Sequence, residues 1–273
     1  MKPLFLPADV GPLFALYFPP INQSVNRAIL HVPAFAEEMN KSRRMIALQA
    51  RAFAEQGYAV LILDLFGTGD SAGDFGDATW QIWLQNIAKA IAWLNQEVAQ
   101  TITLWSLRLG ALLAMDFIDQ NPGVVNRLLL WQPVLNGDVF ITQFLRLRVA
   151  AAMMNSALPQ EKTSDLKKQL LDGQSLEVAG YALHPDLVRP LLALKADCLD
   201  LQNIKEIVIY ELAAVGNEGK PSLVNQQFLN KLHSFDINAS LTVFEGDNFW
   251  ASQEIVTTPN LIELTIDKAK QWL

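Results

Sequence analysis

Cysteine is almost absent from the sequence, since Cys198 is the only one among 273 residues. A single thiol cannot form a disulfide within the chain, and it excludes a metal site built from several cysteines. This cysteine usage also favours a reducing, cytoplasmic compartment. We therefore expect no structural cross-links and no metal or other cofactor.

Long apolar runs are missing as well. No segment reaches the roughly 18 to 20 apolar residues that a membrane-spanning helix needs. The apolar stretch at residues 1–20 lacks the basic start and the small-residue cleavage site of a signal peptide, and its prolines would break a helix. The sequence therefore predicts a soluble protein whose N-terminus forms two short strands.

Basic residues are outnumbered and form no runs. The chain has 21 lysines and arginines against 28 acidic residues, a net charge of −7 and a pI near 5.0. Such a protein repels a polyanion on average, and no local cluster counters this repulsion. We expect no nucleic-acid partner.

Hydrophobic residues, by contrast, make up 51% of the chain, which suits one compact domain with a large core. Apolar runs alternate with segments of helical period, the pattern of a mostly parallel sheet flanked by helices. This pattern predicts strands at residues 11–19, 28–33, 58–63, 101–105 and 126–131. It predicts helices at residues 41–56, 78–98 and 109–120.

The pattern changes after residue 133. Residues 135–203 contain helical patterns and little strand signal beyond a short piece around residues 177–181. Strands return at 206–212 and 240–245, and a last helix is predicted at 260–272. We therefore predict one α/β domain, residues 1–273, with a helical cap inserted at residues 135–203.

The turn at residues 104–112, LWSLRLGAL, lies where an α/β-hydrolase carries its nucleophile elbow, G-x-S-x-G. In that register Ser106 takes the first glycine, Arg108 the serine and Gly110 the second glycine. Arginine keeps its proton in proteins, so it can neither attack a carbonyl carbon nor accept a proton. The usual acyl-enzyme route is closed at this residue.

Two interpretations of Arg108 compete. In one, its side chain packs along the turn and pairs with Glu37 or Glu38, without chemistry. In the other, its guanidinium joins the backbone N–H groups at a helix N-terminus and binds a carboxylate or phosphate. Ser106 could instead act as a displaced nucleophile, although a hydroxyl at this position is more often satisfied by a neighbouring backbone group.

The segment HVPAFAEEMNKSRRM, residues 31–45, occupies the place where hydrolases form part of the oxyanion hole from backbone N–H groups. Here Ala34 or Phe35 would donate one N–H and Leu109 the second, while Pro33 removes one donor. Because backbone donors do not depend on side-chain identity, an oxyanion-like pocket can exist without a nucleophile.

Two further motifs carry structural expectations. Asn40 and Ser42 are expected to cap the helix that follows them. The segment DLFGTGDSAGDF, which begins at Asp64, matches the D-x-x-G-x-G-x-S turn common after this strand in α/β-hydrolases. Its glycines lack the spacing of a phosphate-binding loop, so the turn supports the fold and says little about a substrate.

The remaining members of a Ser-His-acid triad should follow the last two strands. The loop after residue 212 offers only Glu218 as an acid. The loop EGDNFWASQE, residues 245–254, contains no histidine, and Asp247 or Asn248 stands about where the base should be. Neither side chain shuttles protons near pH 7 as imidazole does.

The three histidines elsewhere in the chain are expected to be structural. His31 belongs to the strand before the oxyanion loop, and His233 lies near the end of an amphipathic helix, where the helix dipole favours it. Only His184, within the predicted cap, has a path to the pocket. Two of the three triad positions are therefore occupied by the wrong residue types.

The strings PAFAEEMNKSRRM, DLFGTGDSAGDF, LWSLRLGALLA and DNFWASQE together resemble the exosortase A system-associated hydrolases of the second type. The resemblance covers most of the chain, including QFLRLRVAAAMM and EVAGYALHPDL. It implies an α/β-hydrolase fold and a bacterial gene neighbourhood of exopolysaccharide production and C-terminal protein sorting. The elbow resembles that family's G-L-R-L-G-A form, with Ser106 departing at the first glycine.

The leading hypothesis is a degenerate α/β-hydrolase that binds a small acyl-bearing or anionic ligand, or a partner protein of that pathway, between sheet and cap. Its binding residues would be Arg108, the donors Ala34, Phe35 and Leu109, and Trp250 from the last loop.

The alternative is an active ester or thioester hydrolase of unusual mechanism. Arg108 would polarise a carbonyl or phosphoryl group while Glu38 or Asp247 activates water. Ser106 as the attacking group and Asn248 in the histidine position complete this set of candidates.

Overall fold

The computed structural model describes residues 1–21, 26–98, 101–154, 161–213 and 219–272. Strands within these ranges are β1 Lys2–Leu6, β2 Leu13–Phe18, β3 Arg27–Val32, β4 Ala59–Leu63, β5 Thr101–Leu107, β6 Arg127–Trp131, β7 Leu176–Val178, β8 Tyr181–Leu183, β9 Glu206–Leu212 and β10 Ala239–Phe244. Helices are α1 Glu37–Glu55, α2 Trp80–Glu97, α3 Leu109–Gln120, α4 Gly137–Met154, α5 Thr163–Leu171, α6 Pro185–Ala193, α7 Leu223–Ser234 and α8 Pro259–Lys270.

Eight strands form one sheet in the order β1-β2-β4-β3-β5-β6-β9-β10. The first two strands pair antiparallel with each other and with β4, and the other neighbouring strands are parallel. Both faces are covered, as near-continuous apolar strands require. Helices α1 and α8 pack on one face, and α2 and α3 contribute to the apolar cluster on the other. The two N-terminal strands and the mostly parallel sheet agree with the sequence predictions.

Helix α1 begins at Glu37, four residues before the predicted start at residue 41. The expectation that Asn40 and Ser42 cap this helix is wrong, because both lie inside it. Ser42 Oγ donates to the carbonyl of Met39, one turn back. The chain enters the helix at Ala36 instead, where φ is 51° and ψ is −127°, and no side chain caps it.

The connection from β6 to β9 contains α4, α5, the β7–β8 hairpin and α6, and we call residues 137–198 the crossover segment. The predicted short strand near residues 177–181 is part of this hairpin. An isolated antiparallel bridge joins Asn136 to Lys195, so the two ends of the crossover segment lie side by side. Among the described residues, no helix is long and apolar enough to cross a membrane.

The turn after β4 is held together by Asp64. Its Oδ2 accepts hydrogen bonds from the Asp70 amide at 3.0 Å and from Arg43 Nη2 at 3.2 Å. Ser71 Oγ donates to the Asp64 carbonyl and accepts from the Phe14 amide, which ties the turn to β2. A methyl group at Gly69, where φ is 55°, would lie 1.9 Å from Asp64 Oδ2. These contacts support the interpretation of this motif as a structural turn.

We predict that Gly69→Ala lowers the free energy of unfolding by about 3 kcal/mol. Two costs add up, namely the backbone strain of alanine at a positive φ and the clash of its methyl group with Asp64. Gly123→Ala is the matched control, because Gly123 has φ 82° and no heavy atom within 4 Å of an added methyl group. This control should lose only about 1 kcal/mol. Urea unfolding of both variants measures the difference, and an equal loss would contradict the role assigned to Asp64.

Candidate active site

Arg108 lies at a sharp turn between β5 and α3. Its backbone has φ 55° and ψ −122°, a conformation that residues other than glycine rarely adopt. The turn is held from both sides, because the Arg108 amide donates to the Trp131 carbonyl and the Arg108 carbonyl accepts from Val134, each at 3.1 Å. The predicted elbow register is therefore the observed one, and Arg108 occupies its strained position.

Gly110 allows α3 to start directly against β3. A methyl group at this position would lie 2.3 Å from the Pro33 carbonyl oxygen and 2.5 Å from that of Val32. Only glycine fits such an approach without displacing backbone. The second glycine of the elbow pattern thus has the packing role that the pattern implies.

Ser106 is fully buried in β5, two residues before the turn. Its hydroxyl has no hydrogen-bond partner among the described residues, which corrects the expectation that a neighbouring backbone group satisfies it. The strand pairs with Val32 on one side and Leu130 on the other, so Ser106 lies in the middle of the sheet. This burial removes Ser106 from any ligand that enters at the elbow.

The Arg108 guanidinium is held over the first turn of α1. Nε donates to Glu38 Oε1 at 3.0 Å, and the guanidinium carbon lies 5.8 Å from the ring centre of Trp250. No hydrogen bond among the described residues uses its terminal nitrogens Nη1 and Nη2. Of the two expected partners, Glu38 makes the ion pair, while Glu37 accepts from the Tyr181 hydroxyl at 3.0 Å.

Glu38 is only partly satisfied by this ion pair. Its second carboxylate oxygen, Oε2, is buried and has no hydrogen-bond partner among the described residues. Burial raises the pKa of Glu38, and the nearby Arg108 charge opposes that rise without cancelling it. The pair therefore leaves both groups with unused hydrogen-bonding capacity.

A cleft of about 420 Å³ opens beside this pair. One wall is formed by Phe35, Glu37, Glu38, Lys41, Arg108, Trp250 and Ala251, and the other comes from the crossover segment through Phe140, Gln143, Phe144, Leu147 and Ala179. The structure thus brings together four predicted residues, namely Phe35, Glu38, Arg108 and Trp250. The crossover wall was not predicted residue by residue, although the i, i+4, i+7 spacing of Phe140, Phe144 and Leu147 is the signal that could have identified it.

The predicted backbone donors line a narrow cavity on the other side of Phe35. Ala34, Phe35, Leu109 and Gly110 all contribute to its wall, and its volume of about 10 Å³ is enough for one water molecule. Leu109 is the first residue of α3, so its N–H has no acceptor within the helix. The arrangement can therefore present amide donors beside the elbow.

Asp247 and Asn248 do not line the cleft, and both are exposed. The aromatic residues that follow explain this, because Phe249 and Trp250 are buried against the sheet face of Trp131 and leave the polar side chains outside. The loop is closed by the Asp247 carbonyl, which accepts from Thr258 Oγ1 at 2.9 Å. Glu218, the expected acid, lies outside the described residues.

The histidines have structural surroundings, as predicted. His31 is 2% exposed, and its Nδ1 lies 3.1 Å from the Trp105 carbonyl oxygen. His184 caps α6 by accepting from the Asp186 amide, and it does not line the cleft, so the predicted path from His184 to the pocket is not formed. No histidine borders the cleft, and no group of acidic, histidine and cysteine side chains among the described residues could hold a metal ion.

A family model, Hydrolase_4, described as serine aminopeptidase S33, matches residues 23–195. None of the curated proteins compared with the chain matches it.

Several solved structures share the whole fold at low identity. Est1E from Butyrivibrio proteoclasticus, solved with ferulic acid, is 18% identical with a TM-score of 0.68 over 98% of this chain and 97% of that one. The α/β-hydrolase GrgF from Penicillium sp. sh18 is 15% identical with a TM-score of 0.65 over 99% and 98%. Proline iminopeptidase from Mycobacterium smegmatis is 13% identical with a TM-score of 0.62, again over 99% and 98%. The predicted α/β-hydrolase fold is confirmed.

His31 gives the fold a specific dependence on pH. Burial is the main cause that lowers the pKa of His31 from 6.5 to about 3; the hydrogen bond to the Trp105 carbonyl partly opposes it, and the Arg43 charge contributes to the lowering. Below about pH 6.5, His31 is therefore protonated in the unfolded chain but stays neutral in the folded chain. Its contribution to the free energy of unfolding is fully present above this pH and is lost as the pH falls towards 3.

We predict that the free energy of unfolding falls by up to about 1.4 kcal/mol per pH unit from this group alone between pH 6 and 5. His31→Gln should remove that part of the slope, whereas His233→Gln should keep it. Urea unfolding of the three proteins at pH 7, 6 and 5 measures the slopes, and an unchanged slope in His31→Gln would disprove the assignment.

Proposed function

The chain belongs to the Hydrolase_4 family of the α/β-hydrolase superfamily, and we propose that it binds an amphipathic carboxylate in the cleft beside Arg108 without forming an acyl-enzyme. The observation that carries this proposal is the guanidinium at the elbow, which leaves its terminal nitrogens without a protein acceptor among the described residues. The triad of an active serine hydrolase is, on this proposal, degenerate.

Among the described residues, the cleft has neither the nucleophile nor the histidine base of a serine hydrolase. Arginine stays charged at any pH at which the protein is folded, so it offers no lone pair to a carbonyl carbon. Ser106 is buried inside the sheet, and no imidazole borders the cleft among the described residues. The scaffold therefore retains the site but not the reacting groups.

The polar end of the cleft suits a carboxylate. Arg108 is the N-cap residue of α3, and its guanidinium extends to Glu38 at the start of α1 and lines the cleft. Lys41 adds a second cation on the same wall. A carboxylate that accepts from Nη1 and Nη2 of Arg108 would form the two-pronged contact for which guanidinium is well shaped, while Nε stays bound to Glu38.

The remainder of the cleft suits an apolar tail. Phe35, on the same wall as Trp250, contacts Phe140 and Phe144 of the crossover segment edge-on, with ring centres 5.5 and 5.1 Å apart, so the two walls join in one apolar surface. Trp250 lines the cleft near the guanidinium. Pockets of a few hundred cubic ångströms lined mainly by apolar side chains are typical of small-molecule sites. We therefore propose that the crossover segment acts as a cap over an acyl or aromatic tail.

We predict that octanoate and ferulate bind to the protein and that Arg108→Gln weakens both by at least about tenfold, the usual effect of losing a hydrogen-bonded charge. Calorimetric titration measures the affinities. Arg189→Gln, an exposed arginine of α6 away from the cleft, is the matched control and should bind like the unmodified protein. Octanamide, which lacks the charge, should bind to both proteins equally weakly. Equal octanoate affinity in Arg108→Gln and the unmodified protein would refute the proposal.

One observation favours a second candidate function, a hydrolase in which Glu38 activates water and Arg108 polarises a carbonyl group. Glu38 has a raised pKa and an unpaired oxygen, as a general base requires. Asp247 is a weaker candidate for this role, because it is exposed and outside the cleft.

We predict no turnover of short-chain p-nitrophenyl esters or thioesters above the background rate, and no labelling by a serine-directed phosphonate. Colorimetric rates and intact mass measure these outcomes. Turnover that is lost in Glu38→Gln but kept in Ser106→Ala would establish the second candidate instead. A phosphonate adduct on Ser106 would establish a displaced serine nucleophile.

The sequence resemblance supports a narrower proposal about context. We propose that the protein is cytoplasmic and serves exopolysaccharide production or the associated protein sorting, with an acyl-bearing molecule or a partner protein of that system as its ligand. The strings PAFAEEMNKSRRM and LWSLRLGALLA support this assignment. Exopolysaccharide output of a host strain that carries Arg108→Gln tests it, since unchanged output would argue against this context.

A further inference from the structure

A second cavity, of about 310 Å³, lies on the other side of α1 from the cleft. It is a half-open pocket bordered by α1 and by strands β2, β3 and β4, and it shares none of its lining residues with the cleft beside Arg108. Most of its wall is apolar, formed by Leu16, Pro33, Met39, Ile46, Ala47, Ile62 and Leu63. Nothing in the proposed function uses this cavity.

His31 contributes a polar atom to this cavity that no protein group is hydrogen-bonded to among the described residues. The residue is only 2% exposed, and Nδ1 is the ring atom that meets the Trp105 carbonyl. A carbonyl only accepts, so Nδ1 carries the proton and Nε2 carries the lone pair. No hydrogen bond among the described residues uses Nε2. Burial also holds the pKa of His31 near 3, so the ring stays neutral and Nε2 stays an acceptor at physiological pH.

Three other polar side chains around the cavity are engaged, whereas the exposed Arg44, which also lines it, makes no hydrogen bond or ion pair among the described residues. Ser42 Oγ donates to the Met39 carbonyl at 3.0 Å. Arg43 and Asp64 form an ion pair at 3.2 Å, and Asp64 also accepts from the Asp70 amide. The cavity therefore offers the acceptor Nε2 of His31 within a mainly apolar lining. A mainly apolar lining suits an uncharged molecule better than an ion, because removing a charge from water is costly.

We propose that this cavity is a second ligand site, which takes a small, uncharged apolar molecule with one hydroxyl group that donates its hydrogen bond to Nε2 of His31. Aliphatic alcohols and phenols belong to this class. The apolar wall favours the carbon skeleton, and the hydrogen bond to Nε2 favours a molecule with a donor over one without it. This site is independent of carboxylate binding at Arg108.

A pair of matched probes tests the proposal. The alcohol 1-hexanol and the ether 1-methoxypentane have the same number of heavy atoms, but only the alcohol donates a hydrogen bond. Titrated into the ¹⁵N-labelled protein, hexanol should shift the amide signals of Ala47, Ile62 and Leu63. Its affinity should exceed that of the ether about fivefold, the usual effect of one buried neutral hydrogen bond.

Three variants distinguish binding in this cavity from binding elsewhere on the protein. Ala47→Phe fills the cavity from α1 without removing any polar group and should abolish the hexanol shifts, while Arg108→Gln should keep them. His31→Phe should equalise the affinities of the two probes; if that variant fails to fold, Ala47→Phe still decides the outcome. Equal affinities in the unmodified protein, shifts centred on Phe140 and Phe144, or no saturable shifts would each overturn the proposal, the last showing a cavity that holds water only.

Discussion

The contact between the start of α3 and the end of β3 determines the geometry of this site. At Gly110 the two backbones approach so closely that no side chain fits beside the Pro33 carbonyl. This contact holds the preceding turn residue, Arg108, in a left-handed conformation and directs its guanidinium over α1, where Glu38 receives it. An α/β-hydrolase uses this strained turn to expose a nucleophile. The same constraint here exposes a permanent positive charge at the mouth of an apolar cleft.

The sequence predicted the parts of the fold that local patterns encode. Apolar period and glycine position located α3 and β9 with the observed bounds, and the elbow register placed Arg108 correctly. The start of α1 was missed because it depends on the backbone of Ala36, whose φ of 51° leaves no mark in the side-chain pattern. Polar residues such as Asn40 resemble caps in a sequence, but tertiary contacts decided where this helix begins.

The candidate site was predicted only on its sheet side. Arg108 and Glu38 are near the ends of predicted elements, whose positions a parallel sheet brings together. Phe140 and Phe144 reach the cleft through the path of the crossover segment, which no local pattern specifies. Asp247 was placed at the site by its position after the last strand, yet the burial of the neighbouring Trp250 turned the polar side chains outward. Packing of large aromatic side chains overrode the expectation from loop position.

The proposed function requires that a carboxylate binds beside Arg108 at the elbow. A crystal structure of the protein with octanoate measures this. The carboxylate should lie within hydrogen-bond distance of Nη1 or Nη2 of Arg108, with the alkyl chain between Phe144 and Trp250 and the contact between Nε and Glu38 retained. Octanoate bound elsewhere, or an acyl group covalently attached to a side chain of the cleft, would contradict the proposed function.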